Sequence, residues 1–181
     1  KAMELYLELD TQPGIANTYA ELGNFYEKQD KVFKSIDHYE KAMGMYQFKE
    51  MYIQECRVRI LLLSLYLEIG DYKLAQEQID IAVPIAEEFN DPDVLARLFY
   101  NSGDLNIVNG KYEIAMDNYE KSADMYDMTP FLDQSLNSRL KRALVSIEHN
   151  EFATAKKILN KCKLLAQKTE WNPYIYHFEI I

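Results

Sequence analysis

The chain has 181 residues, a formal charge of −9 and 48% apolar residues, with six glycines and five prolines. That apolar content excludes a disordered chain, and the scarcity of turn residues excludes an all-β sandwich. The acidic balance excludes a nucleic-acid-binding surface, which needs clustered cations for phosphates. Acidity also keeps a chain in solution and says little more about partners. Cys56 and Cys162 form no CxxC and imply no disulfide framework, which suits a reducing, cytoplasmic setting. The longest apolar run, near 60–67, is broken by Ser64 and is too short to span a bilayer. No signal peptide opens the sequence.

Taken in order, the chain repeats itself. Lys1–Tyr6 reads KAMELY, and one period later Lys41–Tyr46 reads KAMGMY. Residues 1–9 are therefore expected to end a preceding repeat. Four helix pairs are expected to follow, at 13–48, 51–89, 92–127 and 130–168. Pro13, Asp91-Pro92 and Thr129-Pro130 stand where a helix starts well, because proline fits a first turn and Asp or Thr caps it. Pro84 falls inside the second helix of the second pair, where it removes a backbone hydrogen bond. Asn172-Pro173 is expected to open one more helix over 173–181, whose apolar residues include Tyr174, Tyr176, Phe178, Ile180 and Ile181. Both ends then lie within a repeat, so the sequence reads as a single repeat domain from a longer protein.

Columns one period apart carry the pattern. Gly23, Leu63, Gly103 and Ala143 form one. Asp30, Gly70, Gly110 and Asn150 form a turn column of residues that tolerate positive φ. Ser35, Ala75, Ala115 and Ala155 are all small, and Tyr39, Ile79, Tyr119 and Leu159 all large. Ala42, Ala82, Ser122 and Cys162 are small again. Small residues let helix backbones approach, and large ones fill the groove beside them. Cys162 thus reads as packing rather than nucleophile.

The string LGNFY, a turn, then small, large and small residues resembles the tetratricopeptide repeat. Tyr19, Leu22, Gly23, Tyr26, Ser35, Tyr39 and Ala42 carry the likeness in the first copy, and Phe99, Gly103, Gly110, Tyr112, Ala115 and Tyr119 in the third. The fourth copy departs in its first helix, with Arg139 and Arg142 where the first has Tyr19 and Leu22. The usual repeat is about 34 residues long, against 40 here. Longer helices of this kind are similar to the repeat domains of bacterial cytoplasmic regulators, including peptide-pheromone receptors, and occur in animal scaffold proteins. The resemblance implies an all-α fold, a right-handed superhelix of stacked antiparallel helix pairs (an α-solenoid). It also implies binding of a protein or peptide along a concave surface lined by the first helix of each pair.

On that implication the candidate partner-binding residues are read from three columns. They are Asn17, Arg57, Arg97 and Asn137; then Asn101 and Lys141, in a column that also holds Glu21 and Leu61; and Asn24, Ser64 and Asp104, in a column that ends at Leu144. Asn amides can grip a peptide backbone whatever its sequence, and arginines can hold a carboxylate. Any amphipathic helix also carries a solvated polar face, which would place the same residues in the same columns. The basic pair used by chaperone-tail receptors is missing from these columns. His38, His149 and His177 are scattered and no HExxH occurs, so neither an enzyme, a metal site nor a cofactor is expected. The reading is a protein- or peptide-binding scaffold domain of an intracellular regulator, without nucleic-acid or membrane partners. The alternatives are a peptide-sensing switch domain of a bacterial transcriptional or signalling regulator, and an oligomerisation module that self-associates through the apolar terminal helix.

Overall fold

A computed structural model describes residues 12–168, and all regular secondary structure among them is helical. The expected elements over 1–9 and 173–181 lie outside the described residues. The helices are α1 (Gln12–Glu27), α2 (Val32–Phe48), α3 (Tyr52–Glu68), α4 (Tyr72–Glu88), α5 (Pro92–Val108), α6 (Tyr112–Tyr126), α7 (Leu132–Glu148) and α8 (Phe152–Lys168). Their first residues are evenly spaced along the chain, so each repeat divides into two equal halves.

The turns explain the spacing. Six helices end with a residue at positive φ: Asp30, Glu50, Gly70, Asn90, Gly110 and Asn150. In each, the following amide reaches back to a carbonyl near the end of the helix: Lys31 to Tyr26, Met51 to Tyr46, Asp71 to Tyr66, Asp91 to Ala86, Lys111 to Asn106 and Glu151 to Ser146, at 2.8–3.3 Å. This is the Schellman closure, which satisfies the orphan carbonyls of a helix end. The turn column Asp30, Gly70, Gly110, Asn150 thus takes the conformation its residue types favour.

The connection before α7 differs. Pro130 occupies the position of Glu50 and Asn90, and the proline ring forbids the positive φ that those two residues adopt. The Schellman bond is not formed, α6 stops at Tyr126, and a longer link leads to α7. Thr129 donates its hydroxyl to the Tyr126 carbonyl at 2.8 Å and accepts from the Phe131 amide at 3.2 Å. Thr129-Pro130 therefore closes this turn, and the helix starts only at Leu132 rather than at the proline. Asp91, by contrast, caps α5 as expected, accepting from the Val94 amide at 3.1 Å. Helix α4 runs unbroken through Pro84.

The described chain forms two compact units, divided between Asn101 and Ser102 within α5. In the first, α1 packs on α2, α2 on α3 and α3 on α4. Gly23 is buried against Tyr39: a Cβ there would meet ring atoms at 2.5 Å. Ser35 donates to the Gly23 carbonyl at 2.8 Å and draws the same helices together. In the second unit α7 packs on both α6 and α8. Gly103 faces Tyr119 as Gly23 faces Tyr39, again with ring atoms 2.5 Å from a built Cβ. Leu136, Ala143, Ile158, Cys162 and Ala166 form a buried cluster, with Leu159 packed against it. Across the columns, a Tyr ring goes with glycine, and Ile79 or Leu159 goes with Leu63 or Ala143. Volume is traded between the two helices of a pair, as close packing requires.

Two buried arginines interrupt this apolar scheme. The column Tyr19, Arg59, Phe99, Arg139 buries arginine in alternate copies, 4% exposed at Arg59 and 1% at Arg139. In the first unit, Glu55 Oε1 accepts from Arg59 Nε at 2.8 Å and from Gln47 Nε2 at 2.9 Å, while Arg59 Nη1 donates to Gln78 at 2.7 Å. In the second, Arg139 donates to both Asp127 oxygens, at 3.1 and 2.7 Å, and to the Ser135 hydroxyl. These bonds give α7 its structural reason for carrying an arginine where the first and third copies carry an aromatic ring.

Candidate functional site

The candidate residues sit on α1, α3, α5 and α7, the first helix of each pair. A spacing of seven places Asn17 with Asn24, and Arg57 with Ser64, on one side of their helices. The two units are taken separately.

In the first unit, Asn17 is exposed and its Oδ1 accepts from the Tyr46 hydroxyl at 2.5 Å. Burial, helped by the charge of Glu21, pushes the Tyr46 phenol above its ordinary value, so it stays a donor. Asn24 is half-buried. Arg57 is exposed and lies 3.8 Å from Asp91, the cap of α5. Ser64 Oγ is 3.1 Å from the Ile60 carbonyl and 3.2 Å from Asn101 Oδ1. Asn101 Nδ2 donates to the carbonyl of half-buried Arg97 at 2.8 Å.

In the second unit, Asp104 accepts from the Tyr119 hydroxyl at 2.7 Å and from Lys141 Nζ at 2.9 Å. Asn137 is half-buried on α7. The pairs Ser64–Asn101 and Asp104–Lys141 have the same sequence separation. Each joins the last of the three columns on one first helix to the Asn101/Lys141 column on the next. The structure brings together these two pairs, and it joins Arg57 to an internal carboxylate.

The arrangement offers amide, hydroxyl and charged hydrogen-bonding groups but little for covalent chemistry. Burial pushes the Cys56 and Cys162 thiols up to about 11, far from the reactive thiolate. His38 directs Nδ1 at the Lys34 carbonyl, 2.7 Å away, and its ring lies 5.0 Å from that of Tyr26. The His149 ring lies tilted against that of Tyr112, with centroids 3.9 Å apart. Among the described residues no group of three His, Cys, Asp or Glu side chains is placed to hold a metal. No described helix is long and apolar enough to cross a membrane.

Residue columns alone did not point to the buried pairs Arg59–Glu55 and Arg139–Asp127. Their signal was the spacing of the two arginines, which stand two full periods apart. Polar side chains inside a repeat are ordinarily read as surface, which hid it.

Comparison with solved structures gives the fold its place. The chain resembles aspartyl phosphate phosphatase F of Bacillus subtilis with a TM-score of 0.83 and 18% identity, over 93% of this chain and 44% of that one. It resembles the nearly identical TPR-like repeats of a Podosopora anserina kinesin light chain at 0.70 and 16% identity, over 93% and 83% of the two chains. The TPR2AB domain of yeast Sti1, solved as a complex with pHSP90, matches at 0.51 and 16% identity, over 98% and 72%. The fold is tetratricopeptide-like. At these identities the likeness concerns architecture, and the chain spans less than half of the phosphatase. No protein-family model and no curated protein matches the sequence.

Proposed function

We propose that this tetratricopeptide-like chain is a non-catalytic scaffold that binds a protein or peptide through the polar side chains of its first helices. The observation that supports this most is on the first unit. There Arg57, Ser64 and Asn101 set a guanidinium, a hydroxyl and an amide on neighbouring helices, and α1 carries Asn17 and Asn24 in the columns of Arg57 and Ser64. Arg97 belongs to the same set. In the second unit Asp104, Lys141 and Asn137 form the corresponding set. Such groups recognise a peptide main chain and its carboxylates without requiring one sequence. The Sti1 domain carries the same fold in its complex with pHSP90, which is in keeping with this reading.

A sensing role is the second reading, and the Ser64–Asn101 contact favours it. A ligand that took either group would replace a bond between adjacent first helices, which links occupancy to helix spacing.

The test begins with a peptide-display library selected against the 181-residue chain, followed by calorimetry with the winning peptide. Asn17→Ala, Arg57→Ala, Arg97→Ala and Asn101→Ala should each weaken it by about five- to tenfold, the loss expected of one charge-assisted or amide contact. Their melting temperatures should stay near that of the parent. Equal affinity across all four variants removes these side chains from the binding face.

A further inference from the structure

The second unit holds a cavity of about 430 Å³ away from the candidate residues. Helix α6 contributes Glu120, α7 contributes Arg139 and Arg142, and α8 contributes Thr154, Lys157 and Lys161. Four of these side chains are cationic and one is anionic. The setting sharpens the imbalance: the chain carries −9 overall, yet α8 has five lysines and no Asp or Glu.

The charges are unevenly satisfied. Arg139, at the floor, is neutralised by Asp127 at 2.7 Å. Arg142 is held by Glu120. Lys157 and Lys161, one helical turn apart and exposed, make no ion pair among the described residues. Arg139 and Arg142 each bury an Nε without an acceptor. Buried guanidinium nitrogens ordinarily find one. The Thr154 hydroxyl adds a neutral donor to the same wall.

We propose that this cavity binds a phosphate group, with Lys157, Lys161 and Arg142 as its charge partners and Glu120 as an internal placeholder. The Arg142 guanidinium donates to the Glu120 carboxylate, so it already serves a planar oxyanion here. A dianion gains more than a carboxylate does, because the two lysines supply further positive charge. The volume exceeds that of a bare ion and lies in the range of ordinary ligand pockets, so a phosphate carried on a larger ligand fits. The acidic remainder of the molecule disfavours a long polyanion such as nucleic acid.

The experiment is calorimetric titration of the 181-residue chain at constant ionic strength with inorganic phosphate, with a phosphoserine peptide and with its unphosphorylated form. Saturable binding of the phosphorylated peptide is expected, with none of the unphosphorylated one. Equal binding of inorganic phosphate assigns recognition to the phosphate alone, and a preference for the peptide assigns it to a phosphorylated protein partner. The Lys157→Ala/Lys161→Ala variant should bind about tenfold more weakly, and Glu120→Gln several-fold more tightly because the competing carboxylate is gone. Exposed Lys73→Ala is the control, and circular dichroism checks that each variant is folded. The proposal is overturned by the absence of saturable binding, by unchanged affinity in the lysine double variant, or by weaker binding in Glu120→Gln.

Discussion

Helices α3 and α7 bury an arginine at the same repeat position, but they satisfy it differently. Arg59 finds its carboxylate on its own helix, one turn away at Glu55, and both side chains are almost wholly removed from water, at 4% and 5% exposure. Arg139 reaches out of its helix to Asp127, which is 40% exposed. The cause lies first in the residue types, since Ser135 stands where Glu55 does and Asp127 where Gln47 does, and the turn then sets the exposure. Pro130 ends α6 early, so Asp127 lies just past its last residue, whereas Gln47, its counterpart two repeats earlier, is still helical. One buried cation is thus sealed within the helix layer, and the other is tied to the solvent edge. The same residue in the same column therefore carries two different sensitivities.

Removing the sealed charge should cost most. Arg59→Ala leaves Glu55 buried without its partner and should lower stability by about 3–5 kcal/mol, read by urea denaturation. The double change Glu55→Leu/Arg59→Met, which imitates the apolar copies, should recover most of that loss. A double variant no more stable than Arg59→Ala would show that packing, not charge, dominates there.

Arg139→Ala should cost less, about 2–3 kcal/mol, because water can take over part of the Asp127 charge. Burial alone would raise the Asp127 carboxyl, but the Arg139 and Ser135 hydrogen bonds and the Arg139 charge outweigh it and hold the group low. A depressed carboxyl stabilises the fold above its unfolded value of about 3.9, and that contribution is lost as pH falls through the lower folded value. The stability gap between the parent and Asp127→Asn should therefore be full at neutral pH and close below about pH 4. A gap independent of pH would show that the Asp127 charge contributes nothing to holding Arg139.

The smallest effect tests the glycine–tyrosine pairing. Gly103→Ala drives a methyl group into the Tyr119 ring and should cost about 1–2 kcal/mol. Adding Tyr119→Leu copies the Ala143 and Leu159 combination of the fourth repeat and should relieve the clash. A double-mutant cycle that shows no coupling would mean that the columns vary independently.

The sequence made the fold class legible because its columns report packing volume directly. Ser35, Tyr39 and Ala42 recur in kind from repeat to repeat, and Asp30, Gly70, Gly110 and Asn150 recur as turn formers. The half-period stayed hidden because Glu50 is a poor signature for positive φ and Pro130 breaks its column. The candidate columns were legible only as positions on the first helices. Their hydrogen bonds were not: the Ser64–Asn101 and Asp104–Lys141 contacts depend on how side chains lean between neighbouring helices. The buried arginines were harder still, since Arg139 looked like a flaw in its copy until Asp127 was seen to receive it.

The Schellman closures leave most of these turns without slack. One residue added to such a short turn would rotate the next helix by about 100° and carry its apolar stripe away from the neighbour it covers. The longer link before α7 has no such bond to break. Among the described connections it is the place where insertions could accumulate and chain length could drift between relatives while the flanking helices stay in register.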